Sequence, residues 1–205
     1  MSAVLNCNIT FIGGGNMAQA LIGGLLARGL PATRITVSDP VEKVRLMLAE
    51  KDVHVTDDNA AAIRDADIVV FAVKPQVFAG ILKPLKGQLE GKLVISIVAG
   101  AEISTIASIL ETGRIVRVMP NTPALVQTGA HGLFANEAVT AQDRELASQV
   151  LASTGLTIWV NSEAQIDAVT AVSGSGPAYF FYMMESMIRA GKNLGLDEKV
   201  ATALT

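Results

Sequence analysis

The stretch Phe11-Ile12-Gly13-Gly14-Gly15-Asn16-Met17-Ala18 constrains this chain more than any other, because it joins a short apolar strand to a helix through three glycines. The run Ile9 to Ile12 has the length of a buried strand. It ends at a turn that glycine makes cheaply, since Gly13 and Gly15 can take positive φ and carry no Cβ. Ala20, Leu21, Leu25 and Leu26 then recur at helical spacing, so a helix begins near Asn16. The first N–H groups of that helix lack partners within it, and with the positive end of its dipole they attract an anion. The spacing of Gly13, Gly15 and Ala18 is the Gly-x-Gly-x-x-Ala pattern of a dinucleotide site, with the pyrophosphate on the helix end. By itself the stretch also fits an ordinary glycine-rich turn.

Beyond Arg28 the chain alternates strand and helix. Arg34 to Ser38 reads as a second strand, ending at Asp39-Pro40, where such a fold meets the adenosine ribose. An acidic Asp39 can accept from the ribose hydroxyls and would repel a 2′-phosphate. Against that, Ser38 can bond a phosphate, Lys43 and Arg45 stand just downstream, and Asp39 can equally cap the next helix. These residues leave the choice between NADH and NADPH open. Val41 to Lys51 reads as a helix, Val53 to Val55 as a short strand, and one of Asp57, Asp58 and Asn59 as the cap of a helix over residues 60–64. Asp67 to Val73 is continuously apolar after its first residue and rich in β-branched side chains, which means burial on both faces and a central parallel strand. Lys74 comes directly after it and is therefore aimed at the cleft. Leu93 to Val98 is another buried strand, and Ala99-Gly100-Ala101 after it is small enough to let backbone approach a ring or ribose.

Ile115 to Val118 leads into Met119-Pro120-Asn121-Thr122-Pro123, expected to be a stiff, non-helical loop. The Asn121 amide can donate and accept at once, which suits a shelf for a carboxamide or substrate. After a strand at 129–136, a helix at 141–153 and a last strand at 155–160, the α/β part closes near Asn161 or Ser162. The division expected is a Rossmann-type dinucleotide-binding domain with a mainly parallel sheet over residues 1–162, then the start of an all-helical domain over 163–205. Within the latter, Glu163 to Val172 is one helix, and Ser173-Gly174-Ser175-Gly176-Pro177 opens another, with Pro177 in its first turn. That second helix carries Tyr179-Phe180-Phe181-Tyr182-Met183-Met184, apolar on every face, so something must cover it. A partner subunit or further helices are expected, the chain reading as the front of a longer protein.

Composition sets the outer limits. The formal charge of −3 over 205 residues gives no basic patch for nucleic acid. The apolar run Ile68 to Val73 is far short of the ~20 residues that span a bilayer. No Lys or Arg precedes Arg28, so no secretory leader is expected. The single Cys7 cannot form an internal disulfide, and the cytoplasm is the natural compartment. His54 and His131 stand far apart without nearby cysteines, so no metal site is expected and both read as ordinary strand or loop residues.

Taken together, the glycine stretch, Ala72-Val73-Lys74-Pro75, Val98-Ala99-Gly100, Met119-Pro120-Asn121-Thr122-Pro123, and Asp167-Ala168-Val169-Thr170 leading into Ser173-Gly174-Ser175-Gly176-Pro177-Ala178-Tyr179 resemble the pyrroline-5-carboxylate reductase family over essentially the whole chain. The resemblance implies NAD(P)H-dependent reduction of 1-pyrroline-5-carboxylate to L-proline, the last step of proline biosynthesis, by a homodimer or higher homo-oligomer built through the carboxyl-terminal helices. It implies NADPH as cofactor, with NADH able to serve. Cofactor contacts carry over to Ile12, Gly13, Gly14, Gly15, Asn16 and Met17, to Ser38 and Asp39, and to Asn59, Val73, Lys74, Pro75 and Ala99. Met119, Pro120, Asn121, Ser173 and Ser175 are the substrate-pocket candidates. No catalytic residue is named: the cleft motifs offer Ser, Asn and Thr but no telling His or carboxylate. The family's Ser-Pro-Gly-Gly-Thr-like loop for the substrate carboxylate is absent from these residues. Two other readings stand beside this one: a different small reductase, such as a hydroxyacid dehydrogenase, and a non-enzymatic NAD(P)-binding sensor.

Overall fold

The computed structural model describes residues 5–205. One eight-stranded sheet organises residues 9–159, in the order β3-β2-β1-β4-β5-β6-β7-β8. Its strands are β1 (Ile9–Ile12), β2 (Ile35–Ser38), β3 (His54–Thr56), β4 (Ile68–Phe71), β5 (Leu93–Ser96), β6 (Ile115–Met119), β7 (Gly129–Ala135) and β8 (Gly155–Trp159). The first six are parallel in the doubly wound order of dinucleotide-binding folds. β7 runs antiparallel to β6, and β8 parallel to β7.

Helices cover both faces. α1 (Asn16–Ala27) and α6 (Ala141–Ala152) lie on one, α3 (Asn59–Ile63), α4 (Pro75–Leu82) and α5 (Ile103–Leu110) on the other, and α2 (Glu42–Ala49) links β2 to β3. The alternation within β4 shows why its sequence is apolar throughout. Ile68 and Val70 join the cluster of Phe11, Leu21 and Leu25, whereas Val69 and Phe71 join that of Phe78, Leu82 and Ile106. All four β4 side chains are fully buried, and each contributes about 1.5–3 kcal/mol by leaving water. Asp58 is the member of its acidic cluster that caps α3, accepting from Ala60 and Ala61 N–H.

Three elements differ from the sequence expectations. Pro75–Leu82, unassigned from sequence, is helical: Pro75 opens α4, and Phe78 and Leu82 bury one stripe. The Met119–Pro123 segment is not a plain loop. Met119 closes β6, and Thr122–Val126 wind into a 3-10 turn, with Pro123 supplying a pre-set φ. Finally, there is no break at residues 173–177. α7 (Gln165–Val169) passes through a π-turn (Thr170–Gly174) directly into α8 (Gly176–Asn193), and the Ser175 N–H reaches back to the Thr170 carbonyl at 2.8 Å.

Gly195, at φ 99°, ends α8 after its last turn, and Asp197 caps α9 (Glu198–Leu204) through the Val200 N–H. Tyr179, Phe180, Phe181, Tyr182 and Met183 are each more than half exposed. The apolar flank foreseen for this helix therefore lies open along α8.

Candidate functional site: the glycine cleft and the Asn121 corner

β1 lies between β2 and β4, and the chain crosses to opposite sides from it, so a crevice opens at the carboxyl ends of these strands. Ile12, Gly13, Gly15, Ser38, Asp39, Asn59, Val73 and Lys74 line one cavity there of about 480 Å³. The three glycines do different work. Gly13 has φ 99°, its N–H donates to the Ser38 carbonyl, and a Cβ on it would stand 2.6 Å from the Ala72 carbonyl oxygen. Gly14 faces away from the cavity, packed so closely that a Cβ would meet Val44 and Leu48. Gly15 does not take the positive φ its sequence allows. It is extended, at φ −68° and ψ −178°, and a Cβ on it would meet nothing within 4 Å. Its value is space above the end of α1.

No side chain caps α1, and no acidic residue stands in its first turn. An uncapped helix end behind an open glycine is the arrangement a pyrophosphate fits, so these residues suit a dinucleotide. Asn16 is exposed in that first turn, and Met17 packs partly against the core.

At the end of β2, the Asp39 carboxylate is held between two backbone N–H groups. Its Oδ2 accepts from the Gly14 N–H and its Oδ1 from the Val41 N–H at the start of α2, both at 2.8 Å. Ser38 is fully buried and donates to Asn59 Oδ1 at 2.7 Å. Arg45 donates to the Asp39 carbonyl at 2.7 Å and lies 3.7 Å from Asp57. Lys74 is extended, as the residue before a proline must be, and exposed at the cavity rim. Pro75 and Ala99 line a separate groove of about 170 Å³ between α4 and α5.

The substrate-pocket candidates gather at the end of β6. Asn121 is buried, its Nδ2 donating to the Ser173 carbonyl at 3.0 Å and its Oδ1 accepting from the Ala130 N–H at 2.9 Å. The amide that donates and accepts thus ties the π-turn to β7. Met119 packs near Gly174, Pro120 is half-buried beside it, and the Ser173 hydroxyl donates to the Val169 carbonyl. Ser175 is half-buried two residues further on, with no side-chain cap bond.

Sequence reasoning passed over Arg117. It is buried in β6, with its guanidinium on Glu163 at 3.2 Å and on Asp167 at 3.1 Å. Glu163 Oε1 also accepts from the Ile103 N–H at the start of α5. The signal was present as one arginine inside an apolar strand. His131 is buried on β7 with Nε2 3.0 Å from the Thr154 hydroxyl, and burial pushes its pKa down to about 4. Burial likewise pushes the Cys7 thiol up to about 11. Among the described residues no cluster of His, Cys, Asp and Glu could hold a metal, and no helix is long and apolar enough to cross a membrane.

Comparison with known proteins places these features in a family. Residues 8–100 match the family described as NADP oxidoreductase coenzyme F420-dependent, and residues 163–205 match pyrroline-5-carboxylate reductase dimerisation. The chain is 49% identical to the pyrroline-5-carboxylate reductase of Pseudomonas aeruginosa over 96% of this chain and 73% of that one. It is 35% identical to the Pisum sativum enzyme over 95% and 71%. A pyrroline-5-carboxylate reductase structure from Coxiella burnetii superimposes with a TM-score of 0.93 at 44% identity, covering 98% of this chain and 76% of that one. The Plasmodium falciparum enzyme with NADP bound does so at 0.88 and 31%, covering 98% and 75%. The chain belongs to the pyrroline-5-carboxylate reductase family.

Proposed function

We propose that this protein reduces 1-pyrroline-5-carboxylate to L-proline with NAD(P)H. The observation that carries the reading is the cavity at the β1–β4 crevice, where the open Gly15, the end of α1 and Lys74 meet residues of β2 and α3. Bound there, the reduced dinucleotide supplies a hydride for the C=N carbon of the cyclic imine. Gly13 and Gly15 let the backbone come close to the pyrophosphate, and Lys74 adds a positive charge at the rim. Asn121 acts as a positioning residue, fixing the π-turn that carries Ser173 and Ser175 against Met119. No side chain of the cleft is assigned as proton donor, so orientation is the main catalytic contribution of these residues.

A division into a dinucleotide-binding part, residues 1–162, and a helical part, residues 163–205, is supported by the sheet ending at Trp159 and by helix alone from Gln165 onward. The open apolar flank of α8 supports a homo-oligomer assembled through it, and the lone buried Cys7 fits a reducing compartment such as the cytoplasm.

The test is loss of reduced-nicotinamide absorbance on adding pyrroline-5-carboxylate, with proline identified as product. Cofactor binding without turnover of this imine would replace the reading with that of a sensor or of another small reductase.

A further inference from the structure

The adenosine end of the cleft holds charges in fixed positions, and they bear on which of the two dinucleotides this chain takes. Asp39 lines the cavity, and its carboxylate cannot swing away, because Gly14 N–H grips one oxygen and Val41 N–H the other. Each oxygen keeps a second lone pair, so the group still accepts from hydroxyls. Asp57 lines the same cavity. Arg45, the cation that would answer a phosphate here, donates to the Asp39 carbonyl and faces Asp57, and its side chain is only 20% exposed. Ser38, the other phosphate partner open from sequence, is fully buried with its hydroxyl spent on Asn59. Two carboxylates line this end of the cavity, and the one guanidinium beside them is already engaged.

We propose that Asp39 makes this enzyme selective for NADH: the pinned carboxylate accepts from the ribose hydroxyls and repels a 2′-phosphate. This deepens the reductase reading and rests on it only for the identity of the reaction. The ribose hydroxyl is a donor, which the carboxylate suits. A 2′-phosphate is an anion with acceptor oxygens only, so from Asp39 it meets repulsion with no bond in return, and the Asn59 amide is the neutral donor that lines the cavity with it. The penalty is partly screened because the site is open to solvent, and discrimination on the order of tenfold is expected.

The experiment compares binding of adenosine 5′-monophosphate and adenosine 2′,5′-bisphosphate to the whole protein by calorimetry, then kcat/KM with NADH and NADPH. The monophosphate should bind about tenfold more tightly, and kcat/KM should favour NADH. Asp39→Asn retains an acceptor for an amide N–H while removing the charge, and should bring the two nucleotides to within about twofold of each other. Asp39→Ser serves as a second variant, with thermal unfolding confirming that both fold. Equal or tighter binding of the bisphosphate by the wild-type protein, or a ratio unchanged in two folded variants, overturns the proposal. Nucleotide discrimination without turnover of pyrroline-5-carboxylate would sink the reductase reading and leave this one standing.

Discussion

Arg117 on β6 and Glu163 ahead of α7 form an ion pair at 3.2 Å across the junction between the sheet and the helical run. The guanidinium is 4% exposed, and the same Glu163 oxygen holds the first N–H of α5. Removing Glu163 leaves a buried charge with only the exposed Asp167 for company. Glu163→Ala should therefore cost about 3 kcal/mol in urea unfolding. Asp167→Asn, at a carboxylate that is 76% exposed, should cost less than about 1 kcal/mol. Equal costs would show that the pair is not what secures the junction.

Asn121 gives a second prediction. Asn121→Ala strips a partner from the Ala130 N–H and from the Ser173 carbonyl, and loss of stability of about 2 kcal/mol is expected. Asn121→Asp keeps the bond to Ala130 and loses the one to Ser173. If the π-turn is positioned by that bond, the aspartate variant raises KM for the imine while binding the dinucleotide normally.

The glycines of the cleft separate strain from function. Gly13→Ala sets a Cβ 2.6 Å from a backbone oxygen at φ 99° and should destabilise the fold itself. Gly15→Ala meets open space at an ordinary φ, so its unfolding midpoint should be nearly unchanged while dinucleotide affinity falls at least about tenfold. Retention of affinity in Gly15→Ala would remove the pyrophosphate from the end of α1.

His131 sets an acid limit. The His131 Nε2 and the Thr154 hydroxyl share a buried hydrogen bond at 3.0 Å, and burial keeps the imidazole neutral. Its pKa is about 4 in the fold against 6.5 in the unfolded chain, so the unfolded chain takes the proton first. The stability this neutral group confers is complete above pH 6.5 and drains away as the pH falls towards 4. His131→Gln should flatten that part of the stability profile, and an identical acid limb in both proteins would assign it to other groups.

Much of this architecture was legible in the chain because periodicity and burial go together in parallel sheets. β4 reads as a central strand since residues facing both ways must be apolar, and the turn at Gly13 reads as close contact because a Cβ has no room there. The direction of β7 was not read, although the short connection from Pro120 to Thr128 is too brief for the usual helical crossover between parallel strands. The continuous helix through Ser173-Gly174-Ser175-Gly176-Pro177 was hidden because those residues usually mark an interruption. There the extra residue of the π-turn is absorbed without breaking the backbone ladder. Arg117 was in view as a letter, but its partners Glu163 and Asp167 stand 46 and 50 residues away in sequence.

The unbroken run from Gln165 to Asn193 behaves as a lever whose short arm is riveted to the sheet by Arg117 and Asn121, and whose long arm bears the aromatic flank. A lever so fixed transmits position. The exposed side chains from Tyr179 to Met184 are thereby held in register with the Asn121 corner, because one piece of backbone carries both.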